Sequence, residues 1–271
     1  TPKPSSAASD VYKRQILSDI KSLRCSGNVS GEKVLHVKKE SRRIYKEYRT
    51  SAKLTSIKLI GVAGLCSGAG TTQMCIMLAV FMGKVLKKKT AVAGDEVTYS
   101  LMLRQMQKAA AIQHKGIASR HAYSMDGIDY YCGIRDEDIG ILRQKYDVII
   151  LDISFENTVD NTNVTFARMV SRLSACDEKI LAGSMLPWKS RECEKKMERI
   201  ERFLDIRGLK MVTLAACDKE AVSIIKKHGV EVVLIPFERN PFVISGENLR
   251  SFLELLKICL LYTSDAADEG L

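Results

Sequence analysis

From residue 56 onward the chain alternates between short, continuous apolar runs and longer segments whose apolar positions recur at helical spacing. The first kind reads as strands buried on both faces, the second as helices with one face on a core. Strands are predicted over residues 57–63, 90–93, 128–132, 148–153, 179–183, 211–216 and 230–235. Helices are predicted over residues 71–86, 100–113, 137–144, 163–175, 191–204, 219–228 and 246–257. This alternation predicts an α/β fold, a doubly wound, mostly parallel sheet with helices on both faces. The predicted domain covers residues 56–258, without internal repeat or low-complexity tract. Residues 16–55 are polar and basic, and read as a linker or the end of a truncated upstream region.

The two ends follow a different logic. Ser5 to Gln15 reads SSAASDVYKRQ, and Cys259 to Glu269 reads CLLYTSDAADE. One DNA sequence encodes the first on one strand and the second on its reverse complement, read one base in. Such DNA looks like the transposon adapter of a sequencing library. Residues 1–15 and 259–271 are therefore expected to be adapter-derived tails, outside any functional argument. The stretch 16–258 begins without methionine, so an upstream continuation of the gene is expected.

Composition narrows the classes. The tails carry three basic and four acidic residues, so without them the formal charge rises from +10 to +11. That balance permits contact with nucleic acid or an anionic membrane surface. Residues 16–55 carry part of the excess, ten Lys and Arg against four Asp and Glu. Seven of the eight cysteines lie between the tails with no C-x-x-C pair and no histidine at metal spacing, which argues against a disulfide or zinc framework. The expected compartment is the reducing cytoplasm, including the periphery of a membrane or nucleoid. No transmembrane segment is seen, since the most apolar run, 74–82, is too short to cross a bilayer.

The chemistry concentrates where the first strand meets the first helix. There an apolar strand runs into Gly64-Leu-Cys-Ser-Gly-Ala-Gly-Thr-Thr72 and then into an apolar helix. Gly68 and Gly70 allow backbone amides to turn toward an anion, and the helix start aims its positive dipole end at the same point. The predicted nucleotide-binding residues are Ser67, Gly68, Ala69, Gly70, Thr71 and Thr72. The Thr72 hydroxyl is placed to hold a magnesium ion that bridges phosphates. Further on, the run Val148-Ile-Ile-Leu-Asp152 delivers Asp152 to a strand's carboxyl end, beside that loop in this fold class, as a second magnesium ligand. Cys66 precedes the helix start, a position that lowers a thiol's pKa.

These residues resemble the ParA/MinD branch of P-loop NTPases. That family carries a deviant phosphate loop, lysine-glycine-glycine-x-glycine-lysine-threonine-threonine, which aligns with Cys66 to Gln73. Cys66 stands where the signature lysine would be, and Thr71 where the phosphate-binding lysine would be. The resemblance implies a carboxylate after the second strand that orients water. Ungapped alignment puts Gly94 and Glu96 at the two acidic positions, and Asp95 fits after a one-residue shift, so Asp95 and Glu96 are the switch candidates. Relatives often read adenine with an asparagine where this chain has Ala215, Ala216 and Cys217.

The resemblance implies ATP and Mg2+ as cofactors, a homodimer with nucleotide at its interface, and a protein cargo. It implies a switch protein that positions cargo, pili or division machinery. Loss of both lysines implies weak or absent hydrolysis, a degenerate ATPase with no assignable catalytic residue. Two other classes stay open: a pseudo-NTPase scaffold that binds a protein without nucleotide, and a basic protein that binds DNA or anionic lipid.

Overall fold

The structure, a computed structural model, describes residues 58–106, 108–113, 117, 121–154, 163–214 and 219–256. The expectations for the two tails, for residues 16–55 and for residues 215–217 lie outside these. Strands β1 (Leu59–Gly64), β2 (Thr90–Gly94), β3 (Ala110–Ile112), β4 (His121–Met125), β5 (Ile128–Cys132), β6 (Val148–Ser154), β7 (Glu178–Ala182), β8 (Lys210–Thr213) and β9 (Glu231–Leu234) form one sheet. Its order is β3-β4-β5-β2-β6-β1-β7-β8-β9. The seven described α-helices are α1 (Thr71–Val80), α2 (Glu96–Arg104), α3 (Asp136–Lys145), α4 (Asn163–Ser174), α5 (Pro187–Glu201), α6 (Lys219–Lys226) and α7 (Gly246–Leu255).

All pairings are parallel except β3 with β4 and β4 with β5. The doubly wound, mostly parallel α/β architecture is thus as the sequence predicts. One segment differs. The helix expected over 100–113 begins earlier, at Glu96, and stops at Arg104; Ala110–Ile112 then opens an antiparallel edge hairpin. Asp95 explains the early start, because its side chain accepts from Thr98 N at 2.9 Å and caps the helix. The helix expected from residue 191 also starts earlier, with Pro187 in its first turn, where a missing N–H costs nothing.

The central helix α1 is buried from Met74 to Val80, and a π-helical turn, Phe81–Val85, extends it. It is apolar around its whole circumference, as befits a helix enclosed by the domain. Alternation along the strands separates the two faces of the sheet. Gly61 faces α4 closely enough that an added Cβ would stand 2.6 Å from Cys176 Sγ. Its neighbour Val62 pairs in register with Asp152 on the other face, which is the face that α1 meets. β6 is the direct neighbour of β1 and β2 lies one strand further, so the ends of all three strands converge beside the loop.

Candidate functional site

The loop leaves β1 at Gly64 and re-enters regular structure at Thr71. Gly68 and Gly70 take left-handed backbone angles, φ 70° and 79°, that other residues rarely adopt. Gly70 is also the N-cap of α1, with no side-chain cap, and its carbonyl accepts from Met74 N at 2.8 Å. Among the described residues no side chain caps this helix start, and such a start leaves its first amides without intrahelical partners. Thr71 turns back over the start of the loop: its Oγ1 lies 2.5 Å from where a Cβ on Gly64 would be. Gln73 Nε2 donates to the Glu238 carbonyl at 2.6 Å and ties the helix start to the loop after β9.

Thr72 Oγ1 donates to Asp152 Oδ2 at 2.7 Å, bringing together the two residues predicted to hold magnesium. Tyr99, from α2, donates its hydroxyl to the same Oδ2 at 3.0 Å. Asp152 Oδ1 is buried with no hydrogen-bond partner among the described residues. Burial raises the Asp152 pKa to about 6, opposed by the Thr72 and Tyr99 hydroxyls and reinforced by nearby Asp95. Tyr99 is pushed well up, first by burial and then by the Asp152 charge, so it stays a proton donor.

This donor set fits a magnesium ion. An unpartnered carboxylate oxygen beside a threonine hydroxyl offers hard oxygen ligands, and Mg2+ takes its remaining ligands from water and phosphate. Bound there, the ion would neutralise phosphate charge. Among the described residues no cluster of three or more His, Cys, Asp or Glu forms a metal cage, and this site does not need one.

The switch candidates separate. Asp95 lines a cavity of about 150 Å³ together with Gly94, Gly133, Asp152, Met169 and Arg172. Glu96 sits in the first turn of α2 and packs against Gly133. Asp95 is near enough to Asp152 to raise its pKa. Cys66 departs from expectation: neighbouring Cys193, and then burial, push its pKa up rather than down.

Sequence reasoning missed Tyr99. The signal was Asp95 as a helix cap followed by Glu96 in the first turn, which places Tyr99 on the helix's inner face. It also missed Glu192, whose Oε1 accepts from Ser67 N at 3.3 Å. No local signal joins residues 125 positions apart.

The glycine loop between β1 and α1, with the aspartate of β6 facing it, is the arrangement of a P-loop fold. More closely, the chain has the ParA/MinD-like version of that fold. It superposes on the MinD cell division protein of Aquifex aeolicus with a TM-score of 0.53 at 13% identity, over 74% of this chain and 95% of that one. The MinC:MinD cell division complex of the same organism gives 0.54 at 12% identity, over 74% and 94%. Cyanthece apo McdA gives 0.50 at 10% identity, over 74% and 98%. No protein-family model and no curated protein matches the sequence.

Proposed function

We propose that this chain is a nucleotide-binding switch protein that takes ATP with Mg2+ weakly and hydrolyses it slowly or not at all. The observation that carries this reading is the Thr72–Asp152 contact of 2.7 Å, with Asp152 Oδ1 unpartnered, beside an uncapped helix start. The backbone part of a phosphate site is intact. Its charge part is not, because Cys66 to Gln73 contains no lysine or arginine. Ground-state binding tolerates that loss better than hydrolysis, which depends on neutralising charge in the transition state. Titrating ATP–Mg2+ into the protein by calorimetry tests the reading. Binding with a Kd in the micromolar to millimolar range supports it; silence at millimolar ATP favours the nucleotide-free scaffold.

The fold relatives include a MinD bound to MinC, which supports a protein partner for this chain too, and a homodimer belongs to the same reading. For anionic partners the supporting feature is a basic cleft at the opposite end of the sheet, lined by Lys58, Lys88, Arg143 and Lys145. Salt-dependent binding to DNA or anionic vesicles tests that contact. Among the described residues no helix is long and apolar enough to cross a membrane. We take residues 56–258 as the working unit and residues 1–15 and 259–271 as adapter-derived, so deleting both tails should leave the melting temperature unchanged.

A further inference from the structure

The phosphate loop is not isolated from charge; its charge comes from helix α5. Glu192 Oε1 accepts from the Ser67 amide at 3.3 Å, so a carboxylate of the chain itself occupies a donor of the anion-binding loop. Glu192 Oε2 is in turn paired with Lys189 Nζ at 3.2 Å. Both side chains are partly exposed, Lys189 at 29% and Glu192 at 45%. The neighbouring residue, Cys193, is buried and near enough to Cys66, the residue directly before Ser67, for the two thiols to shift each other's titration. Lys189, Glu192 and Cys193 are three and four residues apart, hence on one helical face, and that face lies on the loop.

Two observations then fit together. The loop from Cys66 to Gln73 carries no lysine or arginine, and the helix beside it presents a lysine paired with the carboxylate that contacts the loop. Arg172, the cation lining the cavity at Asp152, is already held by Asp136. We propose that Lys189 is the phosphate-binding cation of this site and Glu192 its internal competitor. An arriving phosphate displaces the Glu192 carboxylate from the Ser67 amide, and Lys189, released from Glu192, pairs with the phosphate. The contact is a charge-assisted hydrogen bond from a flexible side chain, which acts as a point charge and needs no fixed angle. This inference rests on the nucleotide-binding reading above and assigns the charge that reading lacks.

The test is calorimetric titration of ATP–Mg2+ and ADP–Mg2+ into the full chain and its variants Lys189→Gln, Lys189→Arg and Glu192→Ala, with Thr71→Lys as a control for the site. Lys189→Gln should weaken ATP binding about 10-fold or more, the usual weight of a charge-assisted contact. It should weaken ATP more than ADP, while Lys189→Arg stays near the parent. Glu192→Ala should tighten ATP binding several-fold, since it removes the competitor. A merely structural role for Lys189 would shift both nucleotides equally and would not be rescued by arginine; that pattern overturns the proposal. If the parent binds ATP and Lys189→Gln leaves the Kd unchanged, or Glu192→Ala weakens it, the proposal is wrong and the nucleotide-binding reading stands. If no form binds, Thr71→Lys included, the nucleotide-binding reading falls and takes the proposal with it.

Discussion

Tyr99 fills the space into which a side chain at Gly94 would project: a Cβ built on Gly94 would fall within the tyrosine ring. The ring is fully buried and its hydroxyl reaches Asp152. By ungapped alignment, position 94 corresponds to the first acidic position of the ParA/MinD pattern. Here Gly94 leaves room for a neutral hydroxyl delivered from the next helix, and Asp95 follows directly.

The pair should be energetically coupled. Gly94→Ala should destabilise the protein by about 1–3 kcal/mol through overpacking. Tyr99→Leu shortens the side chain, removes the ring and loses the hydroxyl, and is expected to cost about 2–4 kcal/mol. In the double variant the Gly94→Ala penalty should largely vanish. A double-mutant cycle by urea denaturation measures it; strictly additive effects would show that the ring does not constrain position 94.

Asp152 should make stability depend on pH with an unusual sign. Burial raises its pKa in the folded protein from the ordinary 3.8 to about 6, so folding favours the protonated form. The stabilisation is fully present below pH 4 and is lost as pH rises through 6. Asp152→Asn lacks this dependence. The parent should therefore lose stability relative to Asp152→Asn between pH 4 and pH 7, on the order of 2 kcal/mol. Denaturant melts of both forms across that range check it; a parent that gains on the variant would mean that the carboxylate has cationic partners.

A third prediction concerns the last helix. Lys210 is buried at the start of β8, and its Nζ donates to the carbonyls of Glu254 at 2.9 Å and Leu255 at 3.0 Å. These are among the terminal carbonyls that a helix leaves without intrahelical partners. Lys210→Met keeps the apolar stem and removes the ammonium, so it should cost about 2–3 kcal/mol. Hydrogen exchange should show Gly246–Leu255 loosening first. An unchanged melt would mean that water serves those carbonyls equally well.

The parts of this molecule that were legible in the sequence are those set by local pattern. The strand Val148–Ser154 needs only the apolar run that opens it, and the loop needs only Gly68 and Gly70 between strand and helix. The edge hairpin was not legible. Ala110–Ile112 is three residues long and exposed over most of its length, so it carries no strand signal against the helical spacing around it. Tyr99 was hidden by placing the start of α2 four residues late. The Ser67–Glu192 contact is tertiary, made by two chain segments that only the parallel order of β1 and β7 brings together.

The last prediction returns to the loop. Gly70 has φ 79°, and a Cβ there would collide with Leu214 Cδ1. Valine at this position pairs a strained backbone with a blocked approach, so Gly70→Val should abolish ATP binding. Circular dichroism should confirm that the variant still folds. Thr71 is different, because its backbone is already helical and its side chain points back over Gly64. Lysine in its place is long enough to leave that contact and reach phosphate from the helix start. A charge-assisted contact of about 1.5–3 kcal/mol corresponds to roughly 10- to 100-fold in Kd. Thr71→Lys should therefore tighten ATP–Mg2+ binding by about that factor. It should raise hydrolysis less, because Cys66, where the resemblance places the signature lysine, still carries no charge. Calorimetry and a phosphate-release assay on the parent, Gly70→Val and Thr71→Lys decide it. Family-like turnover in the parent itself would mean that a full set of transition-state cations already reaches the site, and the account of a charge-depleted loop would be wrong.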